Sequence, residues 1–142
     1  MIQKILVPID GSDHSRKVIE VASDIASKYK AEVHIVHVVS PLDRAHMLDD
    51  NLLKEVEKNY QEFAQRIVDE AKKEFKKKGV ESYQSAILRG DPAQEILQFA
   101  KENGVDMIVM GSHGAGAADM LMFGSVSHKV SHWSKCTCIT VK

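Results

Sequence analysis

A glycine-rich segment near the end of the chain has the residue types best suited to ligand chemistry. Three of the eight glycines fall within residues 111–116, directly after a short apolar run, and the pair Gly124-Ser125 follows ten positions after Gly114. Glycine lets a ligand approach backbone N–H groups closely, and the start of a helix attracts anions. The segment therefore predicts a phosphate-binding loop, with a tight strand-to-loop turn as the alternative.

A second polar segment follows the first apolar run of the chain, as Pro8-Ile9-Asp10-Gly11-Ser12. In an open parallel sheet, ligands bind beyond the carboxyl ends of the strands, where the strand order reverses. We therefore expect the two segments to meet at one site. The sequence has no Gly-Lys-Ser or Gly-Lys-Thr, which excludes a Walker-type loop, and the glycine segment lacks the third glycine of the dinucleotide fingerprint.

Elements that alternate along the chain must position these segments. Short β-branched runs predict strands at 2–9, 31–39, 80–88, 106–110 and 137–141, and stretches at helical spacing lie between them. Ser12 or Asp13 is expected to be the N-cap of the first helix, and Asp91, before Pro92, is expected to be the N-cap of the third. The second helix carries an apolar stripe from Leu53 to Phe75, and residues 40–51 before it are expected to form a loop or lid.

The last predicted helix covers residues 125–133, with Val126, Val130 and Trp133 on one side. The complete order is β-α-β-α-β-α-β-α-β. Such alternation predicts an α/β fold, in which a parallel sheet has helices on both faces.

Composition narrows the functional classes. The 142 residues include 19 Lys plus Arg, 20 Asp plus Glu and 44% apolar residues. The length and apolar content predict one folded domain over residues 1–142. The charge balance argues against a nucleic-acid-binding protein, because no excess of cations is available for phosphates. No apolar stretch is long enough to span a membrane, and the N-terminus has no signal-peptide pattern. We therefore expect a cytoplasmic protein without a membrane partner.

The spacing Gly111-x2-Gly114-x9-Gly124-Ser125 resembles the ATP-binding motif of the universal stress protein family. The opening segment, residues 4–12, is similar to the family's first strand and turn, and residues 124–130 are similar to its last-helix signature. The resemblance covers the whole chain. It implies a five-stranded parallel sheet of order 3-2-1-4-5, with ATP at the carboxyl ends of strands 1 and 4.

The same resemblance implies a role for each matching position. Asp10 corresponds to the acidic residue that contacts the adenosine, Val38 to the position whose backbone recognises adenine, and Gly111 to a position beside the ribose and α-phosphate. The remaining positions shape the adenosine wall or surround the phosphates. The implied ATP-binding residues are Pro8, Ile9, Asp10, Val38, Met110, Gly111, His113, Gly114, Gly124, Ser125, Val126 and Ser127.

The resemblance also implies partners. The last strand, Thr137 to Val141, matches the edge that pairs two subunits of a homodimer, and the family's switch role implies a protein partner that the sequence does not identify. Residues 115–123 contain no Lys or Arg and include Asp119. We therefore expect ATP to bind with Mg²⁺ or Mn²⁺, held mainly by the phosphates.

Two alternatives remain beside the nucleotide-dependent switch: a nucleotide-free interaction module of the same fold, and a slow metal-assisted ATP hydrolase. The sequence shows no nucleophile elbow and no general base beside Ser125 or Ser127, so no catalytic residue is assigned and at most weak ATP hydrolysis is expected.

Other histidines and the cysteines have structural interpretations. His34 and His37 fall on opposite faces of the second strand, and the pair His128 and His132 lacks a third metal ligand. Cys136 and Cys138 are expected to act as small apolar residues.

Overall fold

The computed structural model describes residues 1–42, 45–112 and 124–142. Across these ranges, five strands alternate with four helices. The strands are β1 (Lys4–Pro8), β2 (Glu32–Val39), β3 (Tyr83–Arg89), β4 (Met107–Gly111) and β5 (Thr137–Val141). The helices are α1 (Ser15–Tyr29), α2 (Asp50–Lys77), α3 (Pro92–Glu102) and α4 (Ser125–Trp133).

The five strands form one parallel sheet in the order β3-β2-β1-β4-β5. This confirms the order 3-2-1-4-5. The chain moves outward from β1 to β2 and β3, then crosses back to place β4 on the other side of β1. The strand order therefore reverses between β1 and β4, which is where a ligand crevice is expected in such a sheet.

Helices cover both faces of the sheet, as predicted. Alternate residues of β1 point to opposite faces. Ile5 and Val7 pack in the core cluster that includes α1 and α2, whereas Leu6 packs in the cluster that includes α3 and α4. All three side chains are fully buried, and the near-continuous apolar runs of the strands follow from this two-sided burial.

The predicted N-cap of α1 is wrong. The residue before α1 is His14, with φ −63° and ψ −24°, and its side chain does not cap the helix. Ser12 and Asp13 are not the N-cap because they belong to a preceding turn, in which the Ser12 carbonyl accepts from the Ser15 N–H at 3.0 Å.

The second helix begins earlier than its apolar stripe suggested. Its N-cap is Asp49, whose carboxylate accepts from the Leu52 N–H at 2.7 Å, and a single 3₁₀ turn over Ala45–Met47 precedes it. None of its side chains from Asp50 to Phe63 is buried, whereas five from Ala64 onward are. The first half of α2 therefore extends past the core.

The N-cap predicted for α3 is confirmed, because the Asp91 carboxylate accepts from the Gln94 N–H at 3.1 Å. In α4 the three residues predicted to share one side differ in burial. Val130 is fully buried, but Trp133 is 68% exposed. Trp133 is the last residue of the helix.

At the amino ends of β1 and β4, one carboxylate joins the strands. Asp106 Oδ2 accepts from the N–H groups of Gln3 and Lys4, each at 2.9 Å. These two backbone hydrogen bonds hold the pKa of the Asp106 carboxyl below its ordinary value of 3.8. The Lys4 ammonium also donates to the Asn103 carbonyl at 3.1 Å, so the protein's own groups join the amino ends of β1 and β4.

Cys136 directly precedes β5 and Cys138 lies within it, and both pack partly buried against the cluster that includes α3 and α4. Burial raises the pKa of the Cys138 thiol. This agrees with their interpretation as small apolar residues. Within the described ranges, no helix is both long enough and apolar enough to cross a membrane.

Candidate functional site

A cavity of about 580 Å³ opens at the carboxyl ends of β1, β2 and β4. This volume lies within the roughly 300–1,000 Å³ usual for small-molecule sites. Of the twelve residues predicted to bind ATP, His113 and Gly114 lie outside the described residues. The other ten all line this carboxyl-end cavity: Pro8, Ile9, Asp10, Val38, Met110, Gly111, Gly124, Ser125, Val126 and Ser127.

The turn after β1 holds the only carboxylate among the described lining residues. Asp10 Oδ1 accepts from the Ser12 N–H at 2.9 Å and from the Ser15 hydroxyl at 3.3 Å. Gly11 between them has φ +80°, a conformation that favours glycine. A Cβ at Gly11 would lie 2.9 Å from Ile67 Cδ1 of α2, so the turn is also packed too closely for a side chain. Glycine therefore lets the turn hold Asp10 at the cavity.

The wall formed by β2 carries an imidazole next to the predicted adenine position. The ring of His37 is 2.8 Å from the Ile9 carbonyl through Nδ1. A carbonyl oxygen only accepts, so Nδ1 donates, and the bond joins the carboxyl ends of β2 and β1. His37 has the structural role predicted for it, and it also lines the cavity beside Val38.

The opposite wall is the first turn of α4. The N-cap Gly124 donates its N–H to the Ser112 carbonyl at 2.7 Å. Ser127 is buried, and its hydroxyl lies 3.1 Å from the Ser112 carbonyl and 3.0 Å from the Gly124 carbonyl. The Ser127 hydroxyl is therefore committed to the protein, whereas Ser125 is exposed. The first N–H groups of a helix have no partner within the helix, which makes this wall suited to an anion.

Charge in the carboxyl-end cavity is sparse. Its described lining residues include Asp10, two histidines, His14 and His37, and neither Lys nor Arg. Within the part of the chain that the structure describes, no group of three or more His, Cys, Asp or Glu side chains can hold a metal ion. The His128 and His132 rings stack at 6.3 Å between centroids, outside the cavity lining. An anionic ligand would therefore depend on backbone N–H groups, hydroxyls and its own counter-ion.

Sequence reasoning missed several lining residues. Two of them, His14 and Ser15, lie at the start of α1, and Ser40 follows β2. Their signal was positional, because the helix that follows the first strand begins at the same edge of the sheet as the ligand crevice. The other lining residues that were not predicted are Ser12, His37 and four apolar side chains, Val18, Val36, Pro92 and Ile96.

Comparisons with known proteins agree with this architecture. The profile of the "Universal stress protein family" matches residues 1–142. Universal stress protein YxiE of Bacillus subtilis is 37% identical over 149 aligned positions, which cover 100% of both chains.

Solved structures show the same fold. The structure of MJ0577, a universal stress protein of Methanocaldococcus jannaschii, matches with a TM-score of 0.86 at 29% identity, over 100% of this chain and 96% of that one. The crystal structure of a universal stress protein in complex with cAMP matches with a TM-score of 0.75 at 25% identity, over 99% of this chain and 96% of that one. The profile match over the full length, together with these relatives, shows that the chain belongs to the universal stress protein family.

Proposed function

We propose that this protein binds ATP together with a divalent cation in the carboxyl-end cavity and acts as a homodimeric, nucleotide-dependent switch in the stress response. One observation carries the proposal. Ten predicted residues, spread from position 8 to position 127, line a single cavity at the point where the strand order reverses. The solved complex of a related universal stress protein with cAMP supports a nucleotide as the ligand class.

In this proposal each wall of the cavity recognises one part of the nucleotide. The backbone of Val38 binds the adenine edge, and the Asp10 carboxylate accepts from ribose hydroxyls. The phosphates lie against Gly111 and the first turn of α4, where Ser125 offers an exposed hydroxyl. His113 and Gly114 keep their predicted place at the phosphates, although they lie outside the described residues.

The cation follows from the charges. The described lining residues include no Lys or Arg, and no cluster of metal-ligating side chains exists among the described residues. A bound Mg²⁺ or Mn²⁺ would therefore be held mainly by phosphate oxygens, and it would offset the charge that side chains leave uncompensated. Removing the divalent cation with EDTA should weaken ATP binding strongly.

We further propose that two subunits pair through β5. This strand is at the edge of the sheet, and an edge strand offers unpaired backbone groups to a second chain. Trp133, which ends the helix before β5, is 68% exposed and large enough to contribute to such a contact. It is also the chain's single tryptophan, so its emission should shift to shorter wavelength when the protein is concentrated across the dimerisation range.

The switch needs segments that respond to the ligand. Ser40 and Gly124 line the cavity, and each lies at one end of a long connection, before α2 or before α4. We propose that these connections present the nucleotide state to a protein partner in the cytoplasm, where ATP is available.

The test is calorimetric titration of the purified protein with ATP, with and without Mg²⁺, after denaturing a sample and identifying any released nucleotide by mass spectrometry. Ser125→Ala should weaken binding, whereas Lys101→Ala, an exposed change on α3 outside the cavity lining, should bind like the wild type. Absence of both released nucleotide and binding at millimolar ATP would contradict the proposal and favour the nucleotide-free interaction module.

A further inference from the structure

One backbone carbonyl at the end of β5 connects two walls of the carboxyl-end cavity. The Val141 carbonyl accepts from the Ser112 N–H at 2.9 Å and from the His14 ring through Nε2 at 2.6 Å. Val141 is the last residue of β5 and is buried. His14 and Val141 are 127 positions apart in sequence, so this side-chain contact is made by the tertiary fold.

The side-chain donor, His14, belongs to the wall at the start of α1. His14 is the residue before the helix, lines the cavity and makes no side-chain capping bond. Because a carbonyl oxygen only accepts, the His14 ring donates from Nε2. Its side chain therefore ties the start of α1 to β5 instead of closing its own helix.

The backbone donor, Ser112, is hydrogen-bonded to the wall at the start of α4. The Ser112 carbonyl accepts from the Gly124 N–H at 2.7 Å and lies 3.1 Å from the Ser127 hydroxyl, and both of these residues line the cavity. The backbone of Ser112 therefore connects the first turn of α4, through its carbonyl, to Val141, through its N–H.

We propose that His14 is a positioning residue that links occupancy of the carboxyl-end cavity by a phosphate-bearing ligand to the order of the last strand. This inference rests on the proposed nucleotide function. A phosphate group between the starts of α1 and α4 fixes the separation of the two walls, and both walls donate to the same Val141 carbonyl. Ligand binding therefore holds both hydrogen bonds in place and stabilises β5, the strand that we propose to pair subunits.

The two bonds to Val141 differ in kind, which makes His14 the residue to vary. The Ser112 bond continues the backbone pairing between β4 and β5, and its donor is a backbone N–H that a side-chain substitution does not remove. The His14 bond is made by a side chain, and glutamine offers an amide donor of similar reach, whereas leucine offers similar bulk without a donor.

The experiment measures amide hydrogen exchange of residues 137–141 by mass spectrometry, with and without Mg²⁺-ATP. It uses the wild type, His14→Gln and His14→Leu, each at ATP well above its own dissociation constant, as measured by calorimetry. ATP should slow exchange in β5 by about tenfold, the effect of stabilising one hydrogen bond, in the wild type and the glutamine variant. In the leucine variant the ATP effect should fall below about twofold. Unchanged exchange in β3, on the other side of the sheet, serves as the check that each variant is folded.

Three results would overturn the inference. ATP protection of β5 that persists in His14→Leu would remove the link while leaving the nucleotide function intact. A leucine variant that binds no ATP at any concentration would make His14 a ligand contact instead of a positioning residue. A wild type that binds no ATP would end both this inference and the proposed function.

Discussion

Each end of β1 lies against one aspartate carboxylate, and the two carboxylates have different tasks. Asp106, at the amino end, accepts from two N–H groups more than 100 positions away and so holds β1 against the start of β4. Asp10, beyond the carboxyl end, accepts from Ser12 and Ser15, its near neighbours, and faces the cavity. The amino ends of β1 and β4 are therefore joined by the protein's own groups, whereas the carboxyl ends of β1, β2 and β4 surround space for a ligand.

The largest expected effect on stability comes from a substitution in the turn that holds Asp10. Gly11→Ala places a side chain at φ +80° and 2.9 Å from Ile67 Cδ1. We expect it to lower the free energy of unfolding by about 2–3 kcal/mol, from backbone strain together with displacement of Ile67. Urea unfolding measures the change.

Gly79→Ala is the matched control for this change. Gly79 has φ +82°, but a Cβ there meets nothing within 4 Å. It should therefore show the backbone strain alone, about 1–2 kcal/mol. Equal losses in the two variants would mean that packing against Ile67 does not restrict the turn.

The next effect tests Asp10 as the adenosine contact. Asp10→Asn keeps an Oδ1 acceptor for the Ser12 N–H and removes the charge. Because hydrogen bonds to a charged acceptor contribute about 2 kcal/mol, ATP affinity should fall roughly thirtyfold by calorimetry. The melting temperature should change little. Wild-type affinity in this variant would show that the Asp10 charge is not used in binding.

A smaller effect is expected at the other carboxylate. Asp106→Asn should lower stability at pH 7 by up to about 1 kcal/mol, since solvent screens a partly exposed charge, and should leave ATP affinity unchanged. The folded state lowers the pKa of Asp106, so its contribution is present above the unfolded value of 3.8 and is lost as the pH falls through the folded value. The stability difference between wild type and variant should therefore shrink in acid below pH 3.8.

Urea unfolding of both proteins across this pH range measures the Asp106 effect. A gap between them that stays constant from neutral pH into acid would contradict an ionised Asp106 as its cause. Weakened ATP binding in Asp106→Asn would remove the distinction between the two ends of β1.

The smallest effect concerns the ammonium group beside Asp106. Lys4→Gln shortens the side chain that donates to the Asn103 carbonyl at 3.1 Å. A single hydrogen bond near the surface should contribute no more than about 0.5 kcal/mol, measured by urea unfolding. A loss as large as that from Asp106→Asn would mean that Lys4 is equally important to this end of the sheet.

The alternating pattern of the sequence predicted the elements, and the family resemblance supplied the strand order that the structure confirms. The Asp91 cap was predictable because its donor is three residues away. The roles of Asp106 and His14 were not predictable, because their partners lie more than 100 positions away and no local spacing indicates them. Helical spacing placed Trp133 on one side of α4 with Val130, but spacing alone does not show that Trp133 is exposed while Val130 is buried.

The two halves of α2 should differ in their resistance to local unfolding. Its half from Ala64 onward is anchored by buried side chains, whereas the half from Asp50 to Phe63 has none. Backbone groups in the exposed half can separate from the helix without disrupting the core, so they form a local unfolding unit of low free energy. Native-state proteolysis should therefore cut α2 first within residues 50–63, and the fragments would remain associated through the intact sheet.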